Sequence, residues 1–380
     1  MKVTILASGK PGFELGVRDA LVFAGQAAGI CYMPENFEAL LAEPIEKTER
    51  RANGTLRSGH HSVFDHLSYT AILEDVPKIL AMILNNEKAY ATSEKSARYT
   101  RMQPTEREQT LYDKWLRLIE TRIQDEYSYI DGTKAHKLAQ ENARYMISVF
   151  TPTSMVYTTT LRQWNYIIHW MERFLDQERS GEFFVMLRPH IQEFIECVAH
   201  LRVEGLNDEA KGRDLSLFDN RTDRREYFGE VYCTTYLGSF AQLAQAHRHR
   251  TLDYKMRSPE YPSFYVPSIV AEDKALELQW REDIASVAQV FPQGMMVSIT
   301  ERGTYENFIL KTQERLCSAA QLEVSRQTWA TLQRYISSVK ESDLDLFEIL
   351  SRYNVGARCG AGFKCPTPCR WGVKQLNRPV

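Results

Sequence analysis

The sequence lacks the features that would place the protein in a membrane or on nucleic acid. It has no apolar run of the roughly 20 residues that a membrane-spanning helix needs. Its net charge is only -2, so no global field attracts a nucleic acid or an anionic bilayer, and any anion site must be local. The opening stretch MKVTILASGKPGFEL has no basic segment followed by a long apolar run, so we expect no signal peptide.

Cysteine is scarce and odd in number, with 7 among 380 residues. This count argues against a disulfide framework and favours a reducing, cytoplasmic location. Three of the cysteines, Cys359, Cys365 and Cys369, stand together but fall short of a four-ligand zinc set, so we assign no metal site. Free thiols, a disulfide formed on oxidation, a metal site completed from elsewhere and a tail folded over an active site stay open for them.

Two signatures of common enzyme classes are also missing. No G-x-G-x-x-G stands between a strand and a helix, which argues against a Rossmann-type dinucleotide domain. No Ser-His-Asp or Cys-His arrangement indicates an enzymic nucleophile. The sequence therefore indicates neither of these two enzyme classes.

The order of predicted elements repeats along the chain. Each half reads strand, helix, loop, helix, strand, helix, helix, after a first segment, 1–58, that we predict to be helical with loops. The stretches YMISVFTPTSMVYTT (145–159) and SVAQVFPQGMMVSIT (286–300) are also similar, which favours an internal duplication. The polar stretch 202–223 separates the halves. We therefore predict three domains, which are 1–205, 206–340 and a cysteine-containing tail at 341–380.

The sequence predicts where the strands and helices of these halves lie. Strands are expected near Ser68–Leu73, at 153–160, within 226–237 and at the end of the stretch 283–300. Asp75 is expected to cap the helix that follows the first of these strands, and Ser239 stands in capping-box spacing with Gln242. The helices are predicted at 76–89, 105–130, 134–148, 162–175, 181–201, 238–250, 304–316 and 319–339, with one more ahead of the last strand.

Three short stretches carry the polar residues of interest. GHHSVFDH (59–66) precedes a strand, and its histidines suit a structural role or a contact with a ligand. A metal is the third alternative, although no Cys or acidic partner stands at a recognisable zinc spacing. SEKSARYT (93–100) places Glu94, Ser96 and Arg98 on one side of an extended backbone, which suits a phosphate and a sugar or base, or a plain polar loop.

The third stretch, AQAHRHRTLDYKMRS (244–258), concentrates four basic residues at a helix end. Arginine and protonated histidine stabilise a helix C-terminus, and the same residues would bind an anion such as phosphate. Gln245 and Arg248 share the helix face opposite an apolar stripe, and His249 and Arg250 continue around the end.

Together these stretches resemble the flavin-dependent thymidylate synthase (ThyX) family. GHHSVFDHLSYTAI is similar to the segment that leads into the family signature, and SEKSARYT resembles the second part of that signature. Arg248-His249-Arg250 match its R-H-R, where the first half has Asn86, Glu87 and Lys88. ENARYMIS, VYTTTLRQW and LKTQERLCSAAQLEV resemble three further family segments, the last with Ala320, Gln321 and Glu323. Met171 stands at the first-half equivalent of Arg315.

The resemblance implies a fold, cofactors and a set of site residues. The fold would be α+β, with two ThyX-like lobes in tandem, each a small antiparallel sheet with long helices, forming a pseudo-dimer within one chain. FAD, methylene-tetrahydrofolate as co-substrate and NADPH as reductant would serve the methylation of a deoxyuridine monophosphate. The implied nucleotide-binding residues are Glu94, Ser96, Ala97, Arg98, Arg144, Gln245, Arg248 and Arg315. The implied flavin contacts are His60, Ser62, Arg162, His249 and Arg250. Arg315 is the candidate that polarises the pyrimidine carbonyl.

The family residues are divided between the halves. Gln245, Arg248 and Arg315 survive only in the second half, and the E-x-S-x-R residues and Arg144 survive only in the first. We therefore expect one composite nucleotide site per chain and a homodimer that acts as a pseudo-tetramer. The alternatives are another pyrimidine nucleotide, a hydroxymethyl product, an inactive nucleotide- or flavin-binding protein, and a helical scaffold.

Overall fold

The chain packs as two compact units, each built from separate stretches of sequence. A computed structural model describes residues 1–8, 17–30, 37–96, 102–209, 214–218, 226–258, 261–354 and 378. Unit 1 comprises Met1–Lys95 and Pro152–Asp219, and unit 2 comprises Ser96–Thr151 and Asn220–Val380. The predicted lobes 1–205 and 206–340 are defined by the repeated order of elements in the sequence, and they stay a prediction. Physical packing instead assigns 96–151 to the unit that contains the second half.

Unit 1 contains a four-stranded antiparallel sheet in the order β1-β2-β4-β3. Its strands are β1 (Lys2–Ser8), β2 (Ser68–Pro77), β3 (Ala91–Glu94) and β4 (Pro152–Thr160). Its helices are α1 (Val17–Gly29), α2 (Phe37–Leu41), α3 (Ile45–Arg57), α4 (Lys78–Leu84), α7 (Leu161–Asp176) and α8 (Glu182–Val198). Alternate residues of β4 are buried, as expected for a strand with one face on a core.

Unit 2 contains a three-stranded antiparallel sheet in the order β5-β7-β6. Its strands are β5 (Val231–Ser239), β6 (Asp253–Arg257) and β7 (Met296–Thr304). Its longer helices are α5 (Glu106–Glu126), α6 (Gly132–Ala143), α11 (Lys274–Ala285), α12 (Tyr305–Arg315) and α13 (Leu322–Val339), and its shorter ones are α9 (Phe240–Ala246), α10 (Ser268–Ala271) and α14 (Leu344–Ser351). The predicted α+β class with small antiparallel sheets is confirmed.

Apart from a bulge in β2, the two sheets share one pairing register. In unit 1 the end of β2 pairs Pro77 with Pro152, and in unit 2 the end of β5 pairs Ser239 with Met296. The strands β3 and β6 also pair at matching positions, because Ala91 pairs with Thr158 and Asp253 pairs with Arg302. This register makes Pro152 the counterpart of Met296, whereas the sequence similarity of 145–159 to 286–300 aligns Met155 with Met296.

The core of unit 2 mixes residues from both halves of the sequence. Trp115 of α5 meets Trp280 of α11 with ring centroids 4.7 Å apart. A short main-chain ladder joins 145–149 to 291–294, in which the Gly294 amide donates to the Tyr145 carbonyl at 2.9 Å. Gly294 has no room for a side chain, since a Cβ there would lie 2.9 Å from the Cβ of Tyr145. The segment 96–151 is therefore an integral part of unit 2.

Most predicted elements are present, and two expectations at the first two strands of unit 1 were wrong. Residues 1–58 begin with a strand, β1, because Lys2–Ser8 pairs with β2 along its length. Asp75 does not cap a helix: it has a left-handed φ of 57° in a bulge of β2, and Pro77 occupies the N-cap of α4. The Ser239 cap of α9 is confirmed, with the Gln242 amide donating to its hydroxyl at 3.0 Å.

The tail is described only in part. Helix α14 lies within the predicted segment 341–380, whereas Cys359, Cys365 and Cys369 lie outside the described residues. Among the residues that the structure describes, no helix has the length and apolar character required to cross a bilayer.

Candidate functional site

Arg144 is the buried cation at the centre of the candidate site in unit 2. It follows the last residue of α6 and is 6% exposed. Its Nη2 donates to the side-chain carbonyl of Gln321. The Gln321 carbonyl that accepts this hydrogen bond is neutral, and a guanidinium stays protonated in proteins. Arg144 therefore keeps a positive charge in a largely dry environment.

Gln321 links Arg144 to a second predicted site residue. Gln321 occupies the N-cap position of α13, and its main-chain amide donates to Oε1 of Gln245 at 3.2 Å. Its side-chain amide donates to the hydroxyl of Tyr145. Two residues that were predicted from opposite halves of the sequence, Arg144 and Gln245, are thus joined through one glutamine.

Glu323 fixes the helices that carry these glutamines. Its carboxylate accepts the Ser239 amide at 2.8 Å, the Ser239 hydroxyl at 2.6 Å and the Tyr145 hydroxyl at 2.8 Å. Burial raises the pKa of Glu323, and these hydrogen bonds with the charge of Arg144 oppose that rise. Because Ser239 also caps α9, Glu323 ties the start of α9 to the start of α13.

The basic cluster 247–250 divides into exposed arginines and buried histidines. Helix α9 ends at Ala246, and Arg248 and Arg250 beyond it are exposed. His249 is buried, and its Nε2 lies 3.8 Å from the Glu314 carboxylate, beyond hydrogen-bond distance. Burial, with the positive charges of Arg315 and Lys311, lowers the pKa of His249 to about 2. His249 is therefore neutral at pH 7.

Arg315 lies at the end of α12, close to the start of α13. Its side chain is mostly buried, and its Nη2 is 3.9 Å from Oε2 of Glu314. The hydroxyl of Ser325 reaches the main-chain carbonyls of both Arg315 and Gln321, at 2.6 and 3.1 Å. Arg315 thus belongs to the same neighbourhood of unit 2 as Gln321.

A pocket opens at the start of α13 beside these residues. Its lining includes Lys134 and Arg378, and Nη2 of Arg378 donates to the Ala320 carbonyl at 2.5 Å. Tyr145 and Glu323 also line it, so the pocket joins the hydrogen-bonded network to two further cations.

The corresponding position of unit 1 is filled by the chain itself. Asn86 and Glu87 follow the end of α4, as Arg248 and His249 follow the end of α9. Glu87 is fully buried and accepts the Ser216 amide at 2.6 Å and the Ser216 hydroxyl at 3.0 Å. The side-chain amide of Asn86 donates to the same hydroxyl at 2.7 Å. The side chains of Asn86 and Glu87 are therefore both engaged by Ser216.

The predicted E-x-S-x-R residues are only partly described. In unit 1, Glu94 accepts Nζ of Lys78 at 2.5 Å and the side-chain amide of Asn85 at 3.2 Å, so its carboxylate is already engaged. Ser96 is half-buried. Ala97 and Arg98 lie outside the described residues.

Three of the predicted flavin contacts lie around one short turn of unit 1. His60 and Ser62 are exposed on either side of His61, whose ring nitrogens contact the Tyr166 hydroxyl at 2.9 Å and the Leu56 carbonyl at 3.2 Å. Nε of Arg162 donates to Oδ1 of Asp65, the last residue of this turn, at 2.9 Å. The other two predicted contacts, His249 and Arg250, belong to unit 2.

Sequence reasoning missed the residues that hold the site together. Gln321 and Glu323 were recognised within a motif but received no role, and Tyr145 was passed over beside Arg144. Their partners are distant along the chain, since the hydrogen bond from Arg144 to Gln321 spans 177 residues. No local spacing could have indicated it.

Comparison with known proteins gives consistent similarities. Residues 18–173 match the family model "Thymidylate synthase complementing protein". A flavin-dependent thymidylate synthase of Thermococcus onnurineus is 27% identical over 146 residues, which cover 35% of this chain and 57% of that relative. A flavin-dependent thymidylate synthase of Clostridium tetani is 25% identical over 159 residues, covering 36% of this chain and 63% of that relative. The chain thus spans less than two thirds of the length of these curated relatives.

Two solved structures are similar to parts of this chain at low TM-scores. The ThyX of Helicobacter pylori complexed with FAD and dUMP is 14% identical, with 53% of this chain and 94% of that chain covered and a TM-score of 0.32. The UMP/dUMP methylase PolB of Streptomyces cacaoi bound with 5-Br dUMP is 18% identical, with 45% and 76% covered and a TM-score of 0.30.

Proposed function

Since residues 18–173 of this chain belong to the flavin-dependent thymidylate synthase family, we propose that the chain is a flavin-dependent methyltransferase acting on deoxyuridine monophosphate. Methylene-tetrahydrofolate would donate the one-carbon unit, and NADPH would reduce the flavin. The nucleotide would bind at one composite site per chain, and two chains would form a homodimer.

The contact that carries this proposal is the chain from Arg144 through Gln321 to Gln245. It brings a cation from the first half of the sequence to a glutamine from the second half, as division of labour between duplicated halves requires. A nucleoside monophosphate carries close to two negative charges, and a buried arginine binds such a group strongly. Arg248, and Arg98 from outside the described residues, would complete the phosphate contacts.

The roles of the remaining residues follow from their protonation and position. Arg315 would donate to a pyrimidine carbonyl and favour the polarised ring. Neutral His249, with Arg250, His60, Ser62 and Arg162, would contact the flavin. FAD, when bound, would supply the hydride that completes the methyl group, so the chain would need no nucleophile of its own. Its residues bind, orient and exclude water.

The contacts of Ser216 support a single site per chain. At the unit 1 counterpart of the basic cluster, the hydrogen bonds of Ser216 to Asn86 and Glu87 occupy the groups that would face a ligand. Glu87 is also an acceptor where unit 2 has His249, which suits the Ser216 amide and repels a phosphate. Binding should therefore saturate at one nucleotide per chain.

The test replaces the buried cation and compares a charged ligand with a neutral one. Arg144→Gln should weaken dUMP binding by about 2–3 kcal/mol, because a charge-assisted bond in a dry site is lost. Binding of deoxyuridine, which lacks the phosphate, should change little. Isothermal titration calorimetry measures both affinities and the stoichiometry.

The control is Arg188→Gln in unit 1, where Arg188 donates to the main-chain carbonyls of Leu175 and Gln177. Equal losses for dUMP and deoxyuridine, or a loss as large in the control, would contradict the assignment of Arg144.

Purified protein should also be yellow and its absorbance should bleach on reduction. Yellow protein that dUMP and methylene-tetrahydrofolate fail to reoxidise would favour an inactive binder, and oxidation with a hydroxymethyl or non-uracil product would favour the related chemistry.

A further inference from the structure

Unit 2 contains an ion pair that is wholly excluded from solvent. Nζ of Lys311, on α12, lies 2.5 Å from Oε2 of Glu301, on β7, and both side chains are 0% exposed. The Glu301 carboxylate also accepts the hydroxyls of Tyr232 at 2.7 Å and Tyr236 at 2.8 Å. Three donors therefore surround one carboxylate, and Lys311 is fixed in place.

Unit 1 has no such pair at the corresponding positions. In both units the last strand leads directly into a helix, β4 into α7 and β7 into α12, so the register of Pro152 with Met296 continues through both elements. It makes Tyr157 the counterpart of Glu301 and Ile167 the counterpart of Lys311. Both unit 1 residues are fully buried, so the fold accommodates uncharged side chains there.

The ion pair accompanies the basic cluster. Unit 2 has Arg248-His249-Arg250 with the pair, and unit 1 has Asn86-Glu87-Lys88 without it. Burying two charges costs several kcal/mol per ion before their attraction is counted, and apolar replacements are often neutral or stabilising. Since the related unit 1 positions are uncharged, packing alone does not account for Lys311 and Glu301.

Lys311 acts on the site through its charge. Lys311 and Arg315 are four residues apart on α12 and so share one face of that helix. Both cations lower the pKa of His249, after the larger effect of burial, and the Glu314 carboxylate lies 3.8 Å from its Nε2. His249, Arg315 and Lys311 therefore form one electrostatic cluster.

We propose that Lys311, anchored by Glu301 and two tyrosine hydroxyls, is a positioning residue that turns the positive end of this buried ion pair toward Arg315 and His249 and strengthens the binding of an anionic ligand group there. The identity of that ligand rests on the proposed function, whereas the action of Lys311 on an anion does not.

The experiment removes both charges while keeping the volume of the side chains. Lys311→Met with Glu301→Gln leaves no unpaired buried charge, so the melting temperature should stay the same or rise. The dissociation constants of dUMP and of inorganic phosphate, used as a competitor, should each increase about threefold, because the positive end of the ion pair is lost from a low-dielectric region while the net charge stays the same. Deoxyuridine affinity should stay unchanged. The single variant Lys311→Arg, which keeps the positive charge, should bind dUMP and phosphate almost as tightly as the wild type.

The matched control is Lys114→Met with Asp283→Asn, which removes a lysine–carboxylate pair between α5 and α11 in the same unit. A structural role for Lys311 predicts equal effects on charged and neutral ligands, or none beyond the control, and either result would overturn the proposal. Wild-type protein that binds phosphate but not dUMP would contradict the proposed function and leave the phosphate titration to decide on Lys311. Wild-type protein that binds neither would contradict both.

Discussion

His249 couples the folding of the chain to pH. Its pKa in the folded state is about 2, far below the 6.5 of the unfolded chain, because it is buried beside Arg315 and Lys311. Below pH 6.5 the unfolded state binds a proton that the folded state excludes. The stability contributed by neutral His249 is therefore fully present above pH 6.5 and is lost as the pH falls toward 2.

Replacing this histidine should flatten the acid side of the stability profile. For His249→Gln, the free energy of unfolding should fall less steeply between pH 6.5 and 4.5, by about 1.4 kcal/mol per pH unit. Urea unfolding followed by circular dichroism at several pH values measures this slope. An unchanged slope would show that His249 is accessible to protons, and the same change in His200→Gln, at an exposed histidine, would show that the effect is not specific.

Single residues were the easier part of the site to predict. Arg144, Gln245 and Arg315 are recognisable because each lies in a short motif, and the structure places all three in unit 2. The network of Tyr145, Gln321 and Glu323 depends on contacts between distant segments, and no sequence period records such contacts. The roles of Glu94 and Arg98 stay predictions.

At the level of elements, Ser239 has two functions at once. It caps α9 and donates both its amide and its hydroxyl to Glu323. Losing a cap costs about 1 kcal/mol, and leaving a buried carboxylate short of a donor costs about 1–3 kcal/mol more. Ser239→Ala should therefore destabilise the protein clearly more than Thr304→Ala, which removes the cap of α12.

Chemical denaturation of the two variants gives the comparison directly. Equal losses of stability would show that the Ser239 hydroxyl contributes nothing beyond its cap. Wild-type stability in both would contradict the role of capping at these helix starts.

The elements that were predicted correctly are those with a strong local signal. Helix α13 shows a clear helical period, and β4 alternates between buried and exposed residues. Strand β6 was missed because its five residues, DYKMR, include three charges and only two buried side chains. Strand β1 was missed because its pairing with β2, a distant segment, decides its structure.

At the scale of the whole molecule, the two halves of the sequence need each other. The core of unit 2 combines Trp115 and Ile119 of α5 with Trp280 and Ile284 of α11. A chain that ends at residue 205 leaves the apolar face of α5 and α6 without its partner. Residues 1–205 and 206–380 should each aggregate or stay partly unfolded when expressed alone, and co-expression should restore a soluble 1:1 complex.

Size-exclusion chromatography and proteolysis of the separate and combined segments test this expectation. A stable, monomeric 1–205 with the protease resistance of the full chain would contradict the assignment of 96–151 to unit 2.

The ladder between 145–149 and 291–294 has a consequence for how such a chain can change over generations. Its hydrogen bonds use main-chain groups, which every residue except proline can supply. Substitutions in the surrounding side chains leave this ladder intact. Gly294 is the exception, because a bulkier residue there would force the two segments apart. On the proposed duplication, one half held in this way could lose motifs that the other half keeps while the two stay assembled.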